Sequence, residues 1–113
     1  MGNSLFILEI ETINYPKKFI LITKKQLEKK SGEIIVDHLS KISPYYSREN
    51  LIASLYIQLI QENNISPSFD YMKMEKFIVD FIQTIILEWS DKGESISIDS
   101  YTRIFFHEVE DLT

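Results

Sequence analysis

Apolar residues recur along the chain with two periods, about 3.6 residues in the middle and two residues near the ends. The longest helical pattern covers residues 77–89, where positions 77, 78, 81, 82, 85, 86 and 89 are apolar. A helical period places these positions on one broad face. We predict a helix from Tyr71 to about Ser90, with Asp70 as its N-cap. We expect this helix to contribute five residues to the core, namely Phe77, Phe81, Ile82, Ile85 and Trp89.

Two runs near the amino terminus have the length and composition of β-strands. Residues 5–11 and 18–23 are rich in aliphatic and aromatic side chains, and Asn14, Tyr15 and Pro16 between them favour a turn. The pair therefore predicts an antiparallel hairpin. Neither face of its first strand is purely polar, so we expect both faces of the sheet to be at least partly covered. One face carries Phe6, Leu8 and Ile10, and the other carries Leu5, Ile7 and Glu9.

Capping signals divide the centre of the chain into helices. Thr23 and Gln26 match a capping box and predict a helix start. That helix either stops near Gly32, which favours a C-cap, or continues through a weak point there to residue 42. Ser47 predicts the start of a further helix, which ends at Asn63 and Asn64.

The carboxyl-terminal segment fits two templates. Residues 101–112 alternate like a strand, yet they also form a helical stripe; their aromatic content favours the strand. The whole order predicts an α+β fold, with a small antiparallel sheet packed against three to four helices. In that sheet the hairpin is joined by the carboxyl-terminal strand. The alternative is a mainly α fold with an amino-terminal hairpin.

Length and composition restrict the functional classes. The chain has 113 residues, 44% of them hydrophobic and 26% charged, which predicts one compact domain over residues 1–113. It has no cysteine, which excludes disulfides, thiolate zinc sites and a cysteine nucleophile. With no apolar run of membrane-spanning length and no basic leader, we expect a cytoplasmic protein. Frequent Ile, Lys and Asn favour an AT-rich bacterial or phage source.

Candidates for catalysis are sparse. Phosphate-loop and nucleophile-elbow motifs are absent from the sequence, and its three glycines are widely separated. The two histidines, His38 and His107, are the sole imidazole pair that could act as general acid and base, as in a small nuclease. Their neighbours Asp37 and Glu108 supply metal-ligand types without metal-ligand spacing. We therefore predict a protein that is not an enzyme and binds no metal or cofactor.

Charge is unevenly distributed along the chain. The net charge is −5, but residues 1–41 carry seven bases and five acids, whereas residues 42–113 carry five bases and twelve acids. An acidic protein repels nucleic acid and attracts basic partners. A basic ridge from Lys17 to Lys30 supports the alternative of a nucleic-acid-associated regulator.

These features favour a small, acidic, non-catalytic protein-binding module that blocks a basic partner such as a nuclease toxin, as inhibitors and immunity or antitoxin proteins do. An oligomeric adaptor subunit is a further alternative. Tyrosines in a loop and acids near the carboxyl end are the side chains suited to such a contact. The partner-binding residues that we predict are Tyr45, Tyr46, Asp91, Glu94, Asp99, Glu108, Glu110 and Asp111.

Overall fold

The computed structural model of the chain describes residues 5–13, 15–42, 47–90, 92, 95–98 and 102–109. Within them the fold is α+β, as the sequence predicts: three helices pack against a four-stranded antiparallel sheet. The mainly α alternative is wrong. The elements are β1 (Leu5–Thr12), β2 (Tyr15–Thr23), α1 (Lys24–Ile42), α2 (Arg48–Asn63), α3 (Tyr71–Ser90), β3 (Ile96–Ser97) and β4 (Thr102–Val109).

The sheet has the strand order β2-β1-β4-β3, and all of its pairings are antiparallel. The amino-terminal hairpin is confirmed, and β4 joins it by pairing along the full length of β1. Residues 102–109 are therefore a strand, as their aromatic content favours. The two-residue β3 covers only the first part of β4, opposite Arg103 and Ile104.

Local signals fix the helix ends. The Thr23 N–H donates to Gln26 Oε1 at 2.9 Å and the Gln26 N–H donates to Thr23 Oγ1 at 3.1 Å, a complete capping box. Ser47 Oγ accepts from the Asn50 N–H at 3.2 Å to cap the start of α2. Asn64, directly after the last residue of α2, caps its end in the left-handed conformation with φ 55°. At the start of α3, an Asp70 carboxylate oxygen accepts from the Met72 N–H at 3.0 Å.

Helix α1 does not stop at Gly32. It continues to Ile42, because Gly32 lies where α1 crosses α3 rather than at a helix end. A β-carbon at this position would lie 2.2 Å from the carbonyl oxygen of Val79. Gln83 joins the two helices there by accepting from the Gly32 N–H at 3.4 Å and donating to the Glu28 carbonyl at 2.8 Å.

The core lies between the helices and one face of the sheet, and α3 supplies its centre. Ile78, Ile82 and Ile86 are buried at spacings of four residues. Of the α3 residues expected in the core, only Ile82 is fully buried; Phe77, Phe81, Ile85 and Trp89 are half-buried and pack at its rim. The other buried hydrophobic residues include Leu8, Ile10, Ile20, Ile22, Ile35, Val36, Leu39, Leu51, Ile52 and Ile104.

Arg48, at the start of α2, connects all three helices. Its Nε donates to Glu75 of α3 at 3.1 Å, and its terminal nitrogen donates to Asp37 of α1. The Tyr71 hydroxyl donates to the same Glu75 oxygen at 3.1 Å. Partial burial works against the charge of Arg48, but hydrogen bonds to Glu75 and Asp37 outweigh it and raise the pKa of the guanidinium.

Replacing Arg48 by methionine, which keeps an unbranched apolar stem, is expected to lower the free energy of unfolding by about 1–2 kcal/mol. The estimate is modest because solvent reaches 28% of the Arg48 side chain. Urea unfolding measures the loss, and Lys76→Met is the control, since it breaks only an exposed pair with Asp80. Equal losses in the two variants would contradict a connecting role for Arg48.

Candidate functional site

The helices cover one face of the sheet, and we call the opposite face of β2, β1 and β4 the outer face. Side chains alternate between the two faces along each strand, so the residues opposite the buried Leu8, Ile10 and Ile104 belong to it. Among the described residues, no helix packs on it. Its first three rows across β2, β1 and β4 are Thr23, Leu5 and Val109; Leu21, Ile7 and His107; and Phe19, Glu9 and Phe105.

Six of these nine side chains are apolar, although an uncovered sheet face is usually polar. Phe19 and Leu21 on β2 are each 62% exposed. The other four are half-buried between neighbouring strands, and none of them belongs to the hydrophobic residues that pack against the core. Contiguous exposed apolar surfaces of this kind are typical of interaction sites, which makes this face the candidate. The four half-buried residues are Leu5, Ile7, Phe105 and Val109.

Glu9 forms the polar centre of the outer face. Its carboxylate lies 3.2 Å from His107 Nε2 on β4 and 3.4 Å from Lys17 Nζ on β2. Lys17 also lies 3.8 Å from the Glu11 carboxylate. Because Phe19 and Phe105 flank Glu9 in the same row, solvent reaches only 16% of its side chain. This fixed carboxylate gives the apolar face an orienting hydrogen-bond acceptor.

The outer face has the size of the central part of a protein contact. Three strands spaced about 4.8 Å apart, with four outward residues each, span roughly 15 Å by 20–25 Å, or about 300–375 Å² before side-chain relief is counted. Specific interfaces bury about 800 Å² on each partner, so a contact centred on this face must also include surface around it. The alternation in residues 5–11 was the sequence signal for this surface, since Leu5 and Ile7 stand where polar residues are usual.

Most residues predicted from sequence to bind a partner lie outside the described part of the chain. Only Glu108 falls within it, on β4 opposite Phe6, where it is exposed. Its position has the parity of Phe106 and therefore belongs to the helix side of the sheet, not to the outer face. The residues outside the described ranges are Tyr45, Tyr46, Asp91, Glu94, Asp99, Glu110 and Asp111.

The two histidines lie on opposite sides of the sheet. His107 belongs to the outer face, whereas His38 lies on α1. Partial burial and the nearby charge of Lys41 lower the pKa of His38, with a smaller effect from Lys18 on the helix side of β2. Since the sheet separates the imidazoles, this conformation does not bring them to one reacting group.

The basic ridge lies mainly on the exposed side of α1. Lys25 and Lys29 are neighbours one turn apart and are exposed, with the exposed Glu28 between them in sequence and the exposed Glu33 one turn beyond Lys29. Lys17, at the other end of the ridge, is already engaged by Glu9 and Glu11. The ridge is thus a mixed-charge helix surface with one paired lysine at its β2 end.

A shallow apolar cleft opens where α2, α3 and β3 meet. It holds about 260 Å³ of empty space, its open mouth included. A ligand pocket also needs placed polar groups to orient its ligand. Ser97 alone could supply them, so the cleft has the character of a packing gap. Its lining is Leu55, Leu59, Ile78, Phe81, Ile82, Ile85, Ser97 and Ile98.

Other marks of a known function were not found. Within the described ranges, no three or more His, Asp or Glu side chains are grouped so that they could hold a metal ion. No helix there is both long and apolar enough to cross a membrane. Comparison with protein-family models, with curated proteins and with solved structures gave no match.

Proposed function

We propose that this chain is a non-catalytic protein-binding module and that the outer face of its sheet is the contact surface. The observation that carries the proposal is the apolar outer face itself, with two side chains 62% exposed and no helix of the described chain over it. Aromatic and aliphatic side chains around a fixed polar group are typical of the centre of a protein interface.

The contact would have a defined orientation. A partner that covers Ile7 and Phe105 must also meet the Glu9 carboxylate, which lies between Phe19 and Phe105 and is held by His107. A donor from the partner could satisfy the remaining acceptor capacity of that carboxylate, whereas an apolar group there would leave it desolvated. The outer face therefore selects a partner that has an apolar surface and a central hydrogen-bond donor, such as an arginine or lysine.

A basic partner also fits the charge of the whole chain. The net charge of −5 attracts cationic proteins at long range, and twelve of the seventeen acids lie in residues 42–113. We propose that the module acts as an inhibitor or immunity-type protein, which needs only a complementary surface to occlude a basic active site.

The test compares three tagged proteins in lysate of the organism that encodes the chain. The double variant Ile7→Ser/Phe105→Ser makes the outer face polar, and Phe69→Ser is the control, because Phe69 is 95% exposed outside the sheet. We expect the wild type and the control to capture the same basic protein. The double variant should capture at least about tenfold less of it. Its capture should weaken when salt is raised from about 0.1 to 0.5 M, since salt screens the attraction.

Two results would count against the proposal. Identical captured proteins with all three baits would show that the outer face is not the contact surface. Capture of a protein that is acidic, or whose retention ignores salt, would remove the basic-partner assignment and leave only a protein-binding role. Circular dichroism of each bait checks that the substitutions leave the fold intact.

A further inference from the structure

We infer that two copies of this chain associate through the free edge of β2, pairing antiparallel about Ile20 so that their two sheets become one of eight strands. The two sheet edges differ in how they are protected. Very short strands, prolines and lysines discourage edge pairing. On one edge, the two-residue β3 pairs only with Arg103 and Ile104, and the remainder of β4, with which no described strand pairs on that side, carries the polar His107 and Glu108. On the other edge, β2 has nine residues and carries Pro16, Lys17 and Lys18 at one end only.

The unprotected part of β2 directs backbone donors outward. The Thr23 N–H donates to Gln26 Oε1 and so points away from β1. Amide directions alternate along a strand, so the N–H groups of Leu21 and Phe19 point to the same free side. No described strand pairs with that side. Two outward residues per copy can therefore form about four backbone hydrogen bonds across a twofold axis.

Side-chain exposure supports the same edge. Phe19 and Leu21 are the most exposed apolar side chains of the outer face, while their neighbours Ile7 and Phe105 are half-buried between adjacent strands. A strand added beside β2 would give Phe19 and Leu21 the same cross-strand cover.

The sequence of β2 is complementary to itself in one register. Pairing Ile20 with Ile20 of the second copy sets Phe19 beside Leu21, Lys18 beside Ile22 and Lys17 beside Thr23. No like charges face each other in this register. Phe19 of each copy packs beside Leu21 of the other, so both exposed apolar side chains gain cover. The pairing buries less area than a standard interface, so we expect a dissociation constant in the micromolar range. This inference does not depend on the proposed partner, because Ile7 and Phe105 stay on the open surface of the dimer.

Sedimentation velocity between about 1 and 300 μM tests the inference. The wild type should change with concentration from 13.3 kDa toward twice that mass. Leu21→Lys places a charge beside Phe19 of the second copy and should weaken association at least tenfold. The control Phe69→Lys carries the same charge change outside the sheet and should associate like the wild type. A wild type that stays monomeric throughout, or a dimer that survives Leu21→Lys, would overturn the inference.

The register has a separate test, because the chain contains no cysteine. Ile20 should form a close, non-hydrogen-bonded pair with itself across the axis, with α-carbons about 4.5 Å apart, within reach of a disulfide. Mild oxidation should therefore link Ile20→Cys into a covalent dimer and leave Ile22→Cys unlinked. Linking through Ile22→Cys instead would contradict the Ile20-centred pairing. Partner capture by the outer face can succeed or fail independently of both results.

Discussion

Replacing Gly32 by alanine is expected to lower the free energy of unfolding by about 2–4 kcal/mol, even though alanine is the better helix former. The added β-carbon would lie 2.2 Å from the Val79 carbonyl oxygen and 3.0 Å from the Gln83 β-carbon. The Val79 oxygen belongs to the backbone of α3, as does the Gln83 nitrogen, which would also lie 3.0 Å away. No side-chain rotation therefore relieves the overlap. The helices must separate, and that weakens both hydrogen bonds of Gln83 to α1.

The matched control is Ser31→Ala, one residue away. Ser31 is fully buried, and its hydroxyl has no hydrogen-bond partner within the described chain. Removing that hydroxyl should leave stability unchanged or raise it by up to about 1 kcal/mol. Urea unfolding at one fixed protein concentration measures both variants, since self-association would make stability depend on concentration. A Gly32→Ala variant as stable as the Ser31→Ala variant would contradict the close crossing of α1 and α3.

Gly32 also illustrates why the sequence alone left the end of one helix undecided. Judged from the neighbouring sequence alone, a glycine after a lysine-rich helical stretch is a reasonable C-cap. Its actual role depends on Val79 and Gln83, about fifty residues away, and no local pattern reports that contact. The capping box at Thr23 and the caps at Ser47, Asn64 and Asp70 were predictable for the opposite reason, because each is satisfied within four residues.

The candidate site was only partly readable from sequence. The strand alternation identified Leu5, Ile7 and Glu9 as one face, but we expected that face to be partly covered. Its half-buried state comes from the neighbouring β2 and β4 strands, and no described helix covers it. The partnership of Glu9 with His107 spans 98 positions and depends on β4 lying beside β1. The partner-binding residues predicted from sequence were chosen for their charge and aromatic content. Neither property indicates which strands lie side by side, so neither could identify the outer face.

The second large effect that we expect is on α3, where Ile86→Ala should cost about 3–4 kcal/mol and Ile85→Ala only about 1 kcal/mol. The two substitutions remove the same atoms from adjacent positions of one helix. Ile86 is fully buried, so truncation leaves a cavity enclosed by the core. Ile85 is half-buried at the open apolar cleft, where solvent and neighbouring side chains can fill the space.

This pair of variants tests which stripe of α3 faces the core. The apolar pattern of residues 77–89 is wide enough to allow two orientations of α3, and the core residues that we expected were Phe77, Phe81, Ile82, Ile85 and Trp89. In the fold, Ile82 is buried as expected, but its buried neighbours are Ile78 and Ile86 rather than the phenylalanines, because Gly32 lets α1 approach the adjacent side of α3 at Val79. Urea unfolding of the two alanine variants decides between the orientations. Equal losses, or a larger loss for Ile85→Ala, would mean that α3 faces the core with the side that contains the phenylalanines. In that orientation Val79 would not lie against Gly32, so the close crossing of α1 and α3 would also be contradicted.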